Sequence, residues 1–450
     1  MPRRVVISGL GPVSGLGIGM EPTWQNVVAG QSAIGPIEVF DATGFACSLG
    51  CEVKDLKIKQ FVPKSYRKAT KVMARDIELA VAGSHFAATD AGLVTKATGP
   101  DQLPSYASPR IGVHIGAGLV GADLDELTTA LSQATGDNGS FDIHQWGTEG
   151  INHLTPLWLL KYLPNMLACH VTIIHDAQGP SNTITCGDTS STLSVGESMR
   201  VIQRGAADVC FCGGAESKLN PMGFLRQLMT DRYNTTKNDN TATAVRPFCQ
   251  SAAGCVVGEG GGVVILEAIE TFEQRVASTT QNLCPKPQIY AEIVGFGASQ
   301  SVDLSSRNLR PDTAGRGIAL ALRSALREAG IGPDQIDLII PYGLGWPASD
   351  QAEAAALQSV FGETLHDLPI ASLKGYAGNC CAGAGGLDVC VAAKAIAEQT
   401  IPAIINCERP LSGLAASSTA SRSGKLRHAM VCSSGMGGQN AALVLKRVIA

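Results

Sequence analysis

The chain has 450 residues, of which 45% are hydrophobic and 16% charged, with 51 glycines and only 5% aromatic residues. This is the profile of a large α/β protein and excludes a disordered or fibrous chain. The formal net charge of −4 lacks the basic excess typical of nucleic-acid and membrane-surface proteins, so we expect neither kind of partner.

The fourteen cysteines are scattered, without the even, loop-rich spacing of disulfide-stapled secreted domains. Cys210 and Cys212 are one residue apart on an apparent strand, and Cys47 and Cys51 lack a second ligand pair at zinc-finger spacing. We therefore predict reduced thiols in a cytoplasmic protein, with no metal site and no cofactor.

Two apolar segments were candidates for a targeting or membrane signal. Residues 1–11 carry Arg3 and Arg4 before a short apolar run without a cleavage signal, which predicts a first strand rather than a signal peptide. The longest apolar segment, residues 157–174, is interrupted by Lys161 and Pro164, so we expect no membrane span.

The predicted elements occur twice along the chain. In each half a β-branched strand ends in glycine, an amphipathic helix ends on an acidic-Ala-Gly-aliphatic C-cap, and two further buried strands follow. In the first half these elements are residues 4–9, 75–93, 111–115 and 209–212. In the second half they are residues 291–295, 317–331, 338–340 and 429–432. Strands that alternate with helices predict an α/β fold whose parallel or mixed sheets are covered by helices.

Two polar stretches interrupt this pattern. Residues 271–286, which run into the sequence Cys284-Pro285-Lys286-Pro287, are the most linker-like segment near mid-chain. We therefore predict one half at residues 1–270 and the other at residues 287–450. Residues 132–152 are rich in Gly, Asp and Asn and predict a loop that shapes or covers a site.

A series of short motifs follows one order over nearly the whole chain. It begins with Arg4-Val5-Val6-Ile7-Ser8-Gly9-Leu10-Gly11 and ends with Gly437-Gly438-Gln439-Asn440. Between them lie Gly179-Pro180-Ser181, Gly213-Gly214-Ala215-Glu216, Arg246-Pro247-Phe248, Gly258-Glu259-Gly260 and Pro347-Ala348-Ser349-Asp350. In this order the motifs resemble those of the β-ketoacyl-acyl carrier protein synthases, the elongating type II ketosynthases of the thiolase superfamily.

The resemblance implies an α/β thiolase-like fold with duplicated halves in five layers (αβαβα), usually assembled as a dimer. It also implies a pocket into which the pantetheine arm of acyl carrier protein delivers an acyl chain. In the family a cysteine at the start of a buried helix attacks the acyl thioester, and backbone amides hold the oxyanion. Two histidines assist decarboxylation of the malonyl partner and stabilise the enolate and oxyanion.

Other residues stand where the resemblance places these three groups. The family nucleophile follows Gly-Pro-Ser by seven residues, which in this sequence is Asp188. Counting back from the Pro-Ala-Ser-Asp motif puts Tyr342 at the first histidine, and Asn379, after the Lys-x-x-x-Gly motif of Lys374, at the second. None of the eight histidines lies beside either motif: His85, His114, His144, His153, His170, His175, His366 and His428. We therefore predict that condensation is lost.

Further departures point to a rebuilt pocket. Met436 stands at the phenylalanine that gates the family's site, and Cys249 replaces the aspartate that usually follows Arg-Pro-Phe. Lys374 matches the family lysine, and we predict that Lys374 and Glu259 form a structural ion pair near the pocket rather than act as catalytic groups.

The sequence leaves the role of Asp188 open. A carboxylate at a helix N-terminus ordinarily caps the helix, which contributes on the order of 1 kcal/mol. Alternatively Asp188 acts as a base or nucleophile, with Tyr342 and Asn379 donating hydrogen bonds. Cys186 is a further candidate nucleophile, although it precedes the predicted helix.

Arg67, Lys68, Lys71 and Arg226 match a zone that in the family meets the acidic carrier protein, the alternative being a solvated helix face. With the triad lost, the resemblance favours a non-condensing partner, similar to the chain length factors of polyketide systems, in a homodimer or in a heterodimer with an active ketosynthase. Two alternatives stay open. One is an enzyme with altered chemistry on acyl thioesters (a hydrolase, dehydratase or acyltransferase), and the other is an acyl-thioester binding module.

Overall fold

The computed structural model describes residues 2–235, 240–278, 286–303, 310–414 and 420–449. The predicted linker, residues 271–286, begins inside a helix that spans Ile269–Ser278. Its Arg275 forms a buried ion pair with Glu267, which holds this part of the segment against the fold. Residues 279–285, including Cys284 and Pro285, lie outside the described residues, so the boundary between the halves remains a prediction.

The described residues form fifteen strands, numbered in chain order: β1 (Val5–Ser14), β2 (Gly17–Ile18), β3 (Gly35–Pro36), β4 (Leu49–Cys51), β5 (Ile111–Gly116), β6 (Ser181–Ile184), β7 (Val209–Glu216), β8 (Val257–Gly258), β9 (Gly260–Ala268), β10 (Ala291–Gln300), β11 (Leu338–Ile340), β12 (Thr400–Ile401), β13 (Arg422–Ser423), β14 (His428–Ser434) and β15 (Gln439–Lys446).

The same residues form twelve α-helices: α1 (Met20–Val28), α2 (Arg75–Asp90), α3 (Leu124–Gln133), α4 (Ile143–Thr148), α5 (Met166–His175), α6 (Ser190–Gln203), α7 (Pro221–Leu228), α8 (Ile269–Ser278), α9 (Arg316–Ala329), α10 (Pro347–Phe361), α11 (Lys374–Ala377) and α12 (Ala384–Glu398). Each of the eight elements predicted from the sequence has a counterpart among these strands and helices.

Both halves of the chain contribute to one mixed sheet of ten strands within the described residues. In spatial order its strands are β11, β14, β15, β10, β1, β9, β7, β5 and β6, with β2 paired to β1. The second-half strands β10, β15, β14 and β11 repeat the order of the first-half strands β1, β9, β7 and β5. An antiparallel ladder between β1 and β10 joins the two sets. The repeated order confirms the predicted duplication.

The predicted C-caps are confirmed at the ends of α2 and α9. Gly92 and Gly330 follow these helices with φ angles of 61° and 68°, a left-handed conformation that glycine adopts without steric cost. In both cases the amide of the next residue donates a hydrogen bond back into the helix, from Leu93 at 2.9 Å and from Ile331 at 3.2 Å.

The helices form three layers around the sheet. α2 packs on β1, β9 and β7 from one outer side, and α9 packs on β10 and β15 from the other. α6 and α12 contact each other and strands of both halves, so they lie between the halves. Three buried apolar clusters correspond to this order, one around the central helices and one under each outer layer. With the strands of each half counted as one β layer, the three helix layers and two β layers form the predicted five-layer αβαβα fold.

The segment 132–152, predicted as a loop, is partly helical. It contains the end of α3 and the whole of α4. Asp142 begins α4 as its N-cap, because its side chain accepts hydrogen bonds from the amides of His144 and Gln145. An aspartate that favours a loop when taken by itself therefore starts a helix here. Across the described ranges, no helix combines the length and the apolar character needed to cross a bilayer.

Candidate functional site

Asp188 lies in the 3₁₀ turn Gly187–Thr189, between the edge strand β6 and the central helix α6. Gly187 has a φ of 59°, a conformation that favours glycine and that lets the chain reverse directly before the helix. The Ser190 hydroxyl closes the turn by accepting a hydrogen bond from the Cys186 amide at 2.9 Å and donating one to the Gly187 carbonyl at 2.6 Å. The turn points the Asp188 side chain into the protein, where the residue is only 3% exposed.

The Asp188 carboxylate is paired with a buried arginine. Arg232 Nη1 donates to Asp188 Oδ2 at 2.6 Å, and the Tyr342 hydroxyl donates to the same oxygen at 2.7 Å. The expectation that Asp188 caps the helix is wrong, since the N-cap of α6 is Thr189 and no side chain caps that end. A buried charge gains more from a guanidinium than from a helix end, which explains why the carboxylate turns towards Arg232.

The pairing keeps Asp188 ionised. Burial by itself raises the pKa of the carboxyl, but the Arg232 charge, followed by the hydrogen bonds from Tyr342, Arg232 and Asn379, outweighs it, so the pKa of Asp188 lies below its ordinary value. Burial and the neighbouring Asp188 carboxylate raise the pKa of Tyr342 well above its ordinary value. The phenol therefore stays protonated and donates a hydrogen bond to Asp188. A low-pKa carboxylate held by these donors is a weak base and a weak nucleophile.

The structure brings Tyr342 and Asn379 to Asp188, as the resemblance predicts. Tyr342 follows β11, and its amide donates to Glu353 on α10 at 2.9 Å, which fixes the backbone behind the ring. Asn379 lies between α11 and α12; its Nδ2 donates to the Tyr233 hydroxyl at 3.3 Å, and its Oδ1 accepts from the Cys381 amide at 3.0 Å. Both polar groups of Asn379 are thus occupied by the protein itself.

The predicted ion pair between Lys374 and Glu259 is wrong. Lys374 Nζ pairs with Asp388 Oδ2 on α12 at 3.0 Å, and Glu259 pairs with Arg75 on α2 at 2.8 Å. Each buried charge pairs with a residue of the nearest helix layer. Lys374 lies beside the central helix α12, and Glu259 faces the outer helix α2. Lys374 still borders the site, with its Nζ 5.4 Å from the centre of the Tyr342 ring.

The space beside Asp188 is nearly filled. A cavity of about 20 Å³ is lined by Arg232, Tyr342, Trp346 and Met436, among others, and a volume of this size holds about one water molecule. Met436, in the turn between β14 and β15, is 40% exposed and forms the outer wall. This cavity by itself is too small to hold an acyl chain.

Arg232 and Tyr233 also belong to the site and were not predicted from the sequence. They lie on a segment after α7 that no motif marks, 44 positions beyond Asp188. The only available signal was indirect, because a carboxylate on the buried face of a central helix requires a counter-charge. That requirement does not say which lysine or arginine supplies it.

The four residues predicted to contact a carrier protein are on the surface. Arg67, Lys68 and Lys71 are exposed on the short turns before α2, and Arg226 is exposed on α7. Their exposure fits either a docking zone or a solvated surface. Among the described residues, no group of three or more His, Cys, Asp or Glu side chains is arranged to hold a metal ion.

The fold agrees with that of known proteins to which the chain is similar. The β-ketoacyl synthase N-terminal domain matches residues 2–271, and the β-ketoacyl synthase C-terminal domain matches residues 290–408. The chain is 33% identical over 450 residues to 3-oxoacyl-(acyl-carrier-protein) synthase 2 of Coxiella burnetii, with 99% of each chain covered.

Two solved structures are similar over the whole chain. One is described as the ishigamide ketosynthase/chain length factor, with a TM-score of 0.82, 25% identity and 100% of both chains covered. The other is a type II PKS acyl-carrier protein in complex with its ketosynthase, with a TM-score of 0.81 and the same coverage; at 23% identity it shows the fold alone. On its sequence matches and its fold, the chain belongs to the β-ketoacyl synthase family.

Proposed function

We propose that this chain is a non-condensing ketosynthase-like protein of fatty-acid or polyketide biosynthesis, which assembles with an active ketosynthase in the manner of a chain length factor. The observation that carries the proposal is the buried Asp188–Arg232 pair at the position matched to the family nucleophile. A carboxylate in that pair does not store an acyl chain, because an acyl-aspartate would be an anhydride and far more reactive than a thioester.

The surface next to the site supports a partner chain. Within the described residues β6 is the last strand of the sheet and pairs only with β5, so its other edge is free to pair. α5, which packs beside β6, exposes Ile173. Six further large apolar side chains between residues 119 and 159 are at least half exposed: Leu119, Phe141, Ile143, Ile151, Leu157 and Leu159. Apolar exposure on this scale is typical of a protein interface.

The resemblance to the structure described as the ishigamide ketosynthase/chain length factor supports the same assignment. Acyl carrier protein is the second partner we propose, with Arg67, Lys68, Lys71 and Arg226 as its contact residues. The exposed positive charges of these residues suit an acidic carrier, and they would guide it to the assembled pair rather than to a thiol on this chain.

The alternative of a different reaction on acyl thioesters, catalysed by Asp188, Tyr342 and Asn379, has less support. All three side chains are engaged with protein groups, and the lowered pKa of Asp188 opposes a role as base. The adjoining cavity holds about one water molecule. An acyl-thioester binding module that held its ligand beside Tyr342 and Met436 would need more space than the cavity between these residues provides.

The proposal is tested by co-expressing this chain with the ketosynthase encoded nearest to its gene and measuring the mass of the purified complex. We expect a heterodimer that condenses malonyl- and acyl-carrier substrates, whereas this chain alone gives no condensation product. Leu157→Asp should weaken the heterodimer. Leu103→Asp should not, because Leu103 is 92% exposed but lies outside residues 119–159, which carry the exposed apolar side chains.

The opposite result would be equally clear. A stable homodimer that ignores the ketosynthase would contradict the partner role. Turnover of an acyl-carrier thioester by the chain alone, abolished by Asp188→Ala, would instead establish the alternative enzyme.

A further inference from the structure

Two loops from different halves of the chain are joined beside the site. The Leu411 amide donates to the Phe248 carbonyl at 2.8 Å, and the Gln250 amide donates to the Arg409 carbonyl at 2.8 Å. Between these bonds Cys249 and Pro410 form an antiparallel bridge. The loop that carries Cys249 is therefore held in register with the loop that carries Cys407.

The two thiols of these loops are neighbours. Cys249 and Cys407 belong to the same buried cluster, and the Cys249 sulfur lies 3.9 Å from the carboxylate of Glu408, the residue directly after Cys407. The Cys249 sulfur also lies 3.2 Å from the Ser251 hydroxyl. Both cysteines are buried, yet Gln250 and Glu408, the residues that follow them, are exposed, so the pair lies just beneath the surface.

We propose that Cys249 and Cys407 form a redox-sensitive pair, which a peroxide converts into a disulfide between the two halves of the chain. In the first step the Cys249 thiolate attacks a peroxide oxygen, the O–O bond breaks, and Cys249 becomes a sulfenic acid as hydroxide leaves and takes up a proton. The Cys407 sulfur then attacks the Cys249 sulfur, the S–O bond breaks, and water leaves with the Cys407 proton. Two thiols are oxidised and one peroxide is reduced to two waters.

The surroundings of the two sulfurs suit these separate roles. Burial and, to a smaller extent, the Glu408 carboxylate oppose ionisation of Cys249, but hydrogen bonds from Ser251 and from the Arg409 backbone outweigh them and lower the pKa of the thiol. Burial, together with the neighbouring Cys249, raises the pKa of Cys407 to about 12. The more acidic thiol is the one that reacts first with a peroxide, and Cys407 resolves the sulfenic acid as its proton passes to the departing oxygen.

The pair is connected to the candidate site through Phe248. The Phe248 amide donates to Asp350 Oδ2 at 2.7 Å, and the same carboxyl accepts from the Gly345 amide at 3.1 Å. Gly345 belongs to the segment that begins with Tyr342. A disulfide at Cys249 would therefore restrain the backbone that positions Tyr342 beside Asp188.

Other buried cysteines provide the contrast. Cys210 and Cys212 lie two positions apart on the central strand β7, and burial raises the pKa of both well above its ordinary value. Cys51 and Cys380 are also neighbours, and their pKa values are raised chiefly by burial. We expect these thiols to remain reduced under conditions that oxidise Cys249 and Cys407.

The test uses the full chain, purified under reducing conditions and treated with stoichiometric hydrogen peroxide. Remaining thiols are alkylated, and peptides are analysed by mass spectrometry without reduction. We expect a cross-linked peptide that joins Cys249 to Cys407, the loss of two alkylation sites, recovery of both with dithiothreitol, and a higher Tm for the oxidised chain. In Cys407→Ser the cross-link should disappear, and dimedone should label Cys249.

Cys169→Ser is the matched control, because Cys169 is a half-buried thiol on α5, and this variant should keep the cross-link. The proposal is overturned if the wild-type chain shows no Cys249–Cys407 peptide while Cys169 or Cys186 is oxidised. It is also overturned if Cys249 advances to sulfinic acid with Cys407 still reduced. Because the wild-type measurement is decisive alone, the outcome does not depend on how well the variants fold.

Discussion

The two halves of the chain repeat the same strand order and the same strand–helix crossing in their outer layers, and they differ at the centre. In both outer layers two glycines of the first strand allow a helix to cross closely: a Cβ at Gly11 would collide with the carbonyl oxygen of Gly83, and one at Gly297 with that of Ala321. At the centre the 3₁₀ turns before α6 and α12 carry different chemistry. The first turn holds the charged Asp188, whereas the second, Cys381–Gly383, offers the Ala382 amide to Glu216 at 2.7 Å.

The difference shows which constraints preserve each region. The outer layers depend on backbone contact between strand and helix. A residue that carries a Cβ cannot replace glycine there without pushing the two apart. The central turns depend on which charges they bury and pair, so a change in one residue is tolerated if a partner such as Arg232 compensates. A change of residue type in a central turn can therefore leave the scaffold intact.

The largest effect should come from breaking the central pair. Arg232→Met leaves Asp188 buried without its cation, which should lower the free energy of unfolding by about 3–5 kcal/mol, as measured by urea denaturation at pH 7. The double variant with Asp188→Asn should recover part of this loss, because no charge is then left unpaired. Lys54→Met, which removes the exposed partner of Glu38, is the control and should leave stability unchanged; an equal effect of the two substitutions would argue against a buried pair.

The outer layers should respond equally in both halves. Gly11→Ala and Gly297→Ala each push a helix away from its strand, and we expect each to lower the free energy of unfolding by about 3 kcal/mol. Gly147→Ala is the matched control, because a Cβ at this exposed position on α4 meets no other atom. A loss in only one half would show that the two crossings are not equivalent.

A smaller effect should separate charged from neutral hydrogen bonds. Tyr342→Phe removes the donor to ionised Asp188 and should cost about 2 kcal/mol, with a rise in the pKa of Asp188. Tyr66→Phe removes a neutral bond to His170 and should cost about 1 kcal/mol. Thermal or urea unfolding of both variants provides the comparison, and a cost for Tyr342→Phe below that of Tyr66→Phe would contradict an ionised Asp188.

Two buried groups, one in each half, should respond to pH in opposite directions. Burial raises the pKa of Glu353, in the second half, to about 7. Above the ordinary pKa of glutamate the unfolded chain loses a proton that the folded chain keeps. Stability therefore falls as pH rises from that ordinary value to about 7. Burial lowers the pKa of His114, in the first half, to about 4. The unfolded chain takes up that proton first, so stability falls as pH drops from about 6.5 to 4.

Glu353→Gln tests the loss of stability at high pH that we assign to Glu353. We expect it to reduce the loss of stability between about pH 6 and 8 by about 1 kcal/mol, in addition to a pH-independent cost for one lost backbone acceptor. Urea unfolding at several pH values measures the slope, and Glu363→Gln, at an exposed acid, should leave the slope as it is. An unchanged slope in Glu353→Gln would mean that this carboxyl is ionised in the folded chain.

Much of the fold was predictable because it follows from sequence patterns among neighbouring residues. The β-branched runs, the glycine C-caps at Gly92 and Gly330 and the repeated order of elements depend on neighbours along the chain, and the structure confirms them. The segment 132–152 shows the limit of such patterns, since Asp142 favours a loop and a helix N-cap equally until its surroundings are known. The predicted roles of the basic surface residues stay predictions.

By itself the sequence determined the layered α/β scaffold, the position of Asp188 at the start of a central helix, and the separation of every histidine from the matched motifs. Only the tertiary structure decided which charges meet: Asp188 with Arg232, Lys374 with Asp388, and Glu259 with Arg75. The physical reason is that backbone propensity acts over a few neighbouring residues. The partner of a buried charge is instead set by which layer the fold places against it, however far apart the two residues are in sequence.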